Sequence, residues 1–364
     1  MHRRSFLAAL LAAPAALWVE RASACSRVFV NDRGTAKIVA RSMDLPVAFP
    51  ERPKFFVFPR GLARDGRSGV LPGVEAQLQG LGANAVRWTA RYGLVGITGF
   101  DGAVTDGLNE RGLAAHMLVL GESRHEPADG RPELADALWA QYVLENFATV
   151  GEVVDAHRSG RFRVVGAWSN DLGMPRPLGL HLAVEDTNGD SAIVEYVDGK
   201  LVIHHGAEYR VMTNDPHLDE MLTRMKKYKD FGGAEELPGS SAPEFRFARL
   251  ASYYRYLPIP KDYRDAVAGA LSLLRIAQVP FRDPARVNAP ELGLMAGVQT
   301  NWVSAADVTN GIYYVNSATV PSLFWLDLKK AIFATGSPLL FVDLYDMANA
   351  GDIAARLRAW TGPK

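Results

Sequence analysis

The sequence predicts one α+β domain built mostly from antiparallel strands. Three observations lead there. Short apolar segments follow one another through tight turns carrying Gly, Asn and Asp, the connections that join antiparallel neighbours. Helical spacing falls in separate blocks, so the order runs strands, helices, strands, helices, strands instead of a steady βαβ alternation. No linker divides the 364 residues and no internal repeat is present.

The first residues read as an export signal outside the fold. Arg3-Arg4 form a basic start, residues 6–18 (FLAALLAAPAALW) an apolar run too short for a comfortable membrane span, and Ala22-Ser23-Ala24 a small-residue cleavage site. RRSFLA resembles a twin-arginine signal, and an ordinary secretory signal with two basic residues accounts for it equally. Either one sends the chain to a bacterial periplasm or beyond.

From Cys25 onward, CSRVFVNDRGTAKIVARSMDL reads as a strand, an Asn31-Asp32-Arg33-Gly34 turn and a returning strand, with Val28, Val30, Ile38 and Ala40 facing inward. Residues 59–84 are Gly-rich and irregular. Residues 91–100 and 112–120 read as strands, the second reached through a turn over 106–112. Residues 133–158 have helical spacing, with Leu134, Leu138, Tyr142, Val143 and Phe147 on one face. A meander follows over 179–216, split by Asn188-Gly189 and Asp198-Gly199. Helices are expected at 216–229, 244–256 and 261–277, with a Gly/Pro/Ser loop at 232–243. Residues 299–316 read as a hairpin, 322–333 as sheet edge and 345–360 as a final helix.

Composition narrows the function classes. Hydrophobic residues make up 48% of the chain, enough for a large core. Lys plus Arg and Asp plus Glu balance at 40 each, leaving no strong field to steer nucleic acid or an anionic membrane. One cysteine excludes an internal disulfide and any multi-cysteine metal site. Nucleotide-binding glycine motifs, H-E-x-x-H and G-x-S-x-G are all absent. The eight histidines are scattered: His204-His205 reads as surface at a strand end, and His116 and His181 as packed or half-exposed within strands.

Cleavage after Ala24 makes Cys25 the N-terminal residue. Its α-amino group, with an ordinary pKa near ~8, can then serve as base to its own thiol. Such a site needs a cation for the thiolate, an acceptor for the amine and donors for an oxyanion. Arg41 and Asp44, late on the returning strand, offer the first two. On spacing alone they read more simply as a solvated pair closing the hairpin.

The stretch from Cys25 to Leu45 resembles the N-terminus of the choloylglycine hydrolase and penicillin V acylase family, N-terminal-nucleophile hydrolases of linear amides. DGLNERGLAA (106–115), the meander ending in Thr213-Asn214-Asp215-Pro216, LPGSSAPEFRFARLASYY (237–254) and TNWVSAADVTNGIYYVNS (300–317) continue the likeness in order. It implies a four-layer αββα sandwich and no metal or organic cofactor. It implies Cys25 as nucleophile, Arg41 beside the thiol, Asp44 on the α-amino group and Asn214 as a side-chain oxyanion donor. The second oxyanion donor would be a backbone N–H near Val119. Arg246 matches the arginine near the active centre, with Arg249 as the alternative register. Without the resemblance, Asn214 reads as a turn residue before Pro216.

The sequence departs from the family where the acyl group should bind: Leu45 and Val119 stand where aromatic or polar side chains are common. Penicillin V, N-acyl homoserine lactones and conjugated bile salts all fit as small-molecule substrates. MLVLGES (117–123) looks more like the Gram-negative branch, which favours the first two. The resemblance also implies a homotetramer. A different reading makes Cys25 the lipidated residue of an anchored, non-catalytic binding protein, although Ala22 stands where a lipobox has Leu.

Overall fold

The computed structural model describes residues 25–46, 53–74, 77–99, 102–167, 179–281 and 298–362. The export-signal reading of residues 1–24 lies outside them. Along the chain run β1 (Ser26–Val30), β2 (Ile38–Pro46), β3 (Lys54–Phe58) and a two-residue pair, β4 (Ala63–Arg64) with β5 (Trp88–Thr89). Then come β6 (Leu94–Gly99), β7 (Ala103–Asn109), β8 (Ala114–Val119), β9 (Glu133–Ala135), α1 (Trp139–Asn146), α2 (Val150–Arg158) and β10 (Arg163–Val165). The meander is β11 (Leu180–Glu185), β12 (Ser191–Val197), β13 (Lys200–His205) and β14 (Val211–Met212), followed by α3 (Leu218–Met225), α4 (Pro243–Tyr256) and α5 (Tyr263–Arg275). The chain closes with β15 (Val298–Asp307), β16 (Ile312–Ser317), β17 (Val320–Asp327), β18 (Leu340–Asp343), β19 (Gly351–Asp352) and β20 (Arg358–Ala359).

Two large sheets result. One has seven strands in the order β14-β1-β2-β15-β16-β17-β19, the other nine in the order β13-β12-β11-β8-β7-β6-β3-β18-β20. Every pairing in them is antiparallel except β17 with β19. Helices α4 and α5 pack on the seven-stranded sheet, and α1 and α2 on the nine-stranded one. The sheets face each other where β7 meets β15. This is the αββα sandwich.

Sheets covered on both faces need apolar residues at every position, and β3 shows it. Phe55 and Val57 join the core between the sheets, while Phe56 and Phe58 join the core under α1 and α2. The same holds for the first hairpin. Val28, Val30, Ile38 and Ala40 are buried as expected, and so are their neighbours on the other face.

Three expected elements differ. Residues 133–158 are not one helix. Glu133–Ala135 pairs in parallel with β10, Phe147 turns extended, and Thr149 starts α2 by accepting from the Glu152 N–H at 3.2 Å. The turn expected over 106–112 is mostly strand: Asp106 to Asn109 finish β7, and the reversal sits at Glu110–Gly112. There Gly112 holds a φ of +83°, and Asn109 Oδ1 accepts from the N–H groups of Arg111 and Leu113. Residues 345–360 are not a helix. Asp343, Asp346 and Asp352 each accept a backbone N–H two residues on, Gly351 takes a φ of +65°, and the Ile353 N–H donates to Trp325 on the sheet edge. Asp side chains that compete for backbone donors outweigh a weak apolar period.

Candidate active site

Cys25 immediately precedes β1, and β1 pairs with β2 so that Ser26 opposes Ser42 and Arg27 opposes Arg41. Strand alternation then sorts the hairpin's polar residues. Arg27, Arg41 and Met43 face the other sheet, while Ser26, Ser42 and Asp44 face the helix layer. The contacts agree: Arg41 reaches the Met117 carbonyl on β8, and Arg246 of α4 reaches Ser26.

Cys25 is 2% exposed. Its Sγ lies 3.7 Å from Met43 Sδ and 3.9 Å from Arg41 Nη2. Arg41 Nη2 donates to the Met117 carbonyl at 3.1 Å, and the guanidinium lies 4.5 Å from the Trp302 ring centroid. Burial pushes the Cys25 thiol up. The Arg41 charge is the strongest influence pulling it back, and the backbone N–H of Asp44 and the Arg246 charge help.

On the opposite face, Asp44 accepts from Thr300 Oγ1 at 2.5 Å and from Ser42 Oγ at 3.1 Å. Burial lifts its carboxyl to about 6 against the pull of Arg246, whose Nη1 lies 3.9 Å from Asp44 Oδ2. Arg246 is the centre of this face. Its Nη1 donates to the Cys25 carbonyl and to Ser26 Oγ, its Nε to the Ser241 carbonyl at 2.9 Å, and its Nη2 to Asn214 Oδ1 at 3.0 Å. The last bond fixes which end of the Asn214 amide points where. Asn214 Nδ2 then donates to the Val119 carbonyl at 2.8 Å, and its second hydrogen remains to be offered to a ligand.

Cys25, Arg41, Asp44, Asn214 and Arg246 are therefore brought together, all of them buried. The ion pair expected in solvent at the hairpin end is instead two buried groups on opposite faces of one strand. Val119 joins the group through its backbone. Arg249 does not. It ties α4 to the carbonyls of Pro238, Ser240 and Ile276, so the register that places Arg246 at the centre is the one observed. Leu45 is buried and Val119 partly exposed.

The family model for linear amide C–N hydrolases of the choloylglycine hydrolase family matches residues 25–341. The chain belongs to this family. It is a hydrolase of carbon–nitrogen bonds in linear amides. It is 38% identical over 318 residues to a penicillin V acylase of Pectobacterium atrosepticum, an alignment spanning 82% of this chain and 78% of that one. The solved structure of penicillin V acylase from Agrobacterium tumefaciens superposes with a TM-score of 0.76 at 34% identity, over 93% of this chain and 99% of that one. A mutant conjugated bile acid hydrolase from Clostridium perfringens shares the fold with a TM-score of 0.70 at 20% identity, over 90% of this chain and 98% of that one.

Several residues around this candidate site are not legible in the sequence. Thr300 and Trp302 sit in a quoted motif, but nothing local says that one will hold Asp44 and the other underlie Arg41. Asp106 was assigned to a turn, yet it faces Arg41 across the sandwich, with Oδ2 3.9 Å from Arg41 Nε. His116 is fully buried against it, in keeping with a packed strand residue. His204 is buried beside Glu195 instead of lying at the surface, whereas His205 is exposed as expected, against Asp190. Its neighbour Tyr209 covers the His204 ring, which the strand-end reading could not foresee.

Proposed function

We propose that this chain is an exported N-terminal-nucleophile amidase that hydrolyses N-acyl amides of the penicillin V or N-acyl homoserine lactone type, with Cys25 as nucleophile. One observation carries the reading. The only cysteine stands at the first residue matched by the family, with a buried cation at its thiol and a buried carboxylate on the other side of its strand. The substrate class follows the two penicillin V acylases among the relatives. Conjugated bile salts are the poorer fit.

Removal of residues 1–24 frees the Cys25 α-amino group, and Asp44 holds it. The amine takes the thiol proton as the sulfur attacks the amide carbonyl. Arg41 stabilises the thiolate during this step. The tetrahedral oxyanion is met by the free hydrogen of Asn214 Nδ2 and by the backbone N–H at Val119. Arg246 keeps both partners in place by holding the Cys25 carbonyl and the Asn214 amide. The ammonium returns its proton to the leaving amine as the C–N bond breaks. Water, deprotonated by the same amine, then attacks the thioester carbonyl, the C–S bond breaks to release the acid, and the ammonium returns its proton to the Cys25 sulfur.

Intact mass of the exported protein should equal residues 25–364, and added acyl mass would instead mark a lipid anchor. Cys25→Ser should fold and lose turnover by roughly two orders of magnitude or more. Full turnover in that variant, or in a chain still extended before Cys25, would overturn the mechanism. A panel of penicillin V, long-chain N-acyl homoserine lactones and glycocholate tests the substrate class, and fastest cleavage of glycocholate would reverse it.

A further inference from the structure

Behind Arg41 a line of buried charges crosses between the sheets. Asp106 on β7 accepts Tyr313 and Ser304 hydroxyls on Oδ1, the latter at 2.9 Å, and its Oδ2 meets His116 Nδ1 at 2.5 Å. His116, directly opposite it on β8, has Nε2 2.9 Å from Glu185 Oε2 on β11. Glu185 in turn pairs with Arg27, which opposes Arg41 across the β1–β2 ladder. Signs alternate from the thiolate onward: Arg41, Asp106, His116, Glu185, Arg27. All five residues are fully buried.

Arg41 is loosely held for a buried guanidinium. Its Nε and Nη1 have no hydrogen-bond acceptor, and Asp106 Oδ2, the nearest carboxylate oxygen, stays at 3.9 Å. Asp106 leaves Arg41 at that distance because its own oxygens are already engaged, Oδ2 by His116. Without His116, the freed Oδ2 would draw Arg41 Nε to the about 2.9 Å of a normal charged hydrogen bond and pull the guanidinium from the sulfur. We infer that His116 is a positioning residue for the hydrolysis: as an imidazolium it satisfies Asp106 and so leaves Arg41 to the Cys25 thiolate. This rests on Cys25 being the nucleophile.

The surroundings keep that charge in place. Burial alone would discharge His116, but Asp106 and Glu185, the two carboxylates facing it, outweigh burial and raise it to about 9. Burial likewise opposes the Asp106 charge, and His116 and Arg41 hold its carboxyl below the usual range. The thiol itself faces Arg41 between the sheets and Asp44 and Arg246 from the helix side.

Because Cys25 is the only cysteine, ultraviolet thiolate absorbance, corrected with Cys25→Ser, titrates that thiol alone. The enzyme processed to Cys25 is used. His116→Gln should raise the apparent midpoint by about one pH unit, and the pH profile of kcat should shift with it while KM hardly moves. Tyr313→Phe, nearly isosteric and therefore safe for folding, should raise it by a smaller amount through Asp106 Oδ1, the other oxygen of the same carboxylate. Removing both charges in Asp106→Asn/His116→Gln should bring the midpoint back toward that of the parent. An unmoved midpoint in Tyr313→Phe and in folded His116→Gln would overturn the inference, as would a double variant displaced further than the single one. Turnover of Cys25→Ser tests the nucleophile separately, so the two ideas fail by different measurements.

Discussion

The two faces of the β1–β2 hairpin bury polar groups in different ways. The face toward the second sheet carries formal charges in alternation, from Arg41 through Asp106 and His116 to Glu185 and Arg27, each charge next to one of opposite sign. The face toward the helices carries one guanidinium, Arg246, that donates to carbonyls, a hydroxyl and an amide, and one carboxylate, Asp44, that accepts one hydroxyl on each oxygen. The first face carries Arg41, the cation that pulls hardest on the thiol. The second sets positions around the Cys25 backbone. Both kinds of control reach a single residue because a strand shows alternate side chains to opposite layers.

Removing the positional centre should have the largest effect. Arg246→Leu strips four groups of their donor and leaves Asp44 without its nearby cation. A loss of about 3–5 kcal/mol in stability is expected, with turnover falling at least as steeply as stability, read by denaturant unfolding and steady-state kinetics. Arg249→Leu in the same helix should cost stability but leave kcat close to that of the parent, and equal kinetic damage in both would erase the contrast.

The electrostatic face should show itself through pH. His116 has a folded value of about 9 against an ordinary 6.5. A raised value means that the folded state holds the proton more tightly. Its stabilisation is full below pH 6.5 and is lost as pH rises through about 9, an effect on the order of 3 kcal/mol. Unfolding free energies of the parent and His116→Gln should therefore converge over that window, and parallel curves would show that His116 is not charged.

A smaller effect belongs to Thr300→Val. It removes one hydroxyl from Asp44 and the acceptor for the Val279 N–H, 2.9 Å away. A loss of about 1–3 kcal/mol is expected. The Asp44 carboxyl should move above about 6, since the Thr300 bond helps hold it down. The acid limb of the rate profile would follow, whereas the thiol midpoint would stay nearer the parent than in His116→Gln.

Legibility in the sequence followed the range of the interactions. The first hairpin, the meander and helices α4 and α5 were readable because turn residues, caps and periodicity are local. Strand β3 went unassigned because KFFVF, buried on both faces, shows no alternation. The helix expected over 345–360 failed because three Asp side chains hold turns that apolar spacing does not register. In the site, Cys25 stood out as a lone cysteine after a stretch that reads as a cleavage signal, and the proposed chemistry of an amine beside a thiol followed from that residue alone. Arg41, Asp44, Asn214 and Arg246 needed ordered motifs, since spacing by itself made them surface or turn residues.

The sequence by itself determined the antiparallel α+β class and the family's order of motifs, and it singled out Cys25 as the lone cysteine on which the proposed chemistry rests. Only the tertiary structure decided that Arg41 and Asp44 approach Cys25 from opposite layers. It also decided that Arg246 and not Arg249 holds the centre, and that Asp106 and His116 stand behind Arg41. These are contacts between strands of different sheets and a helix far along the chain. Such contacts depend on how layers stack, which no local pattern of residues encodes.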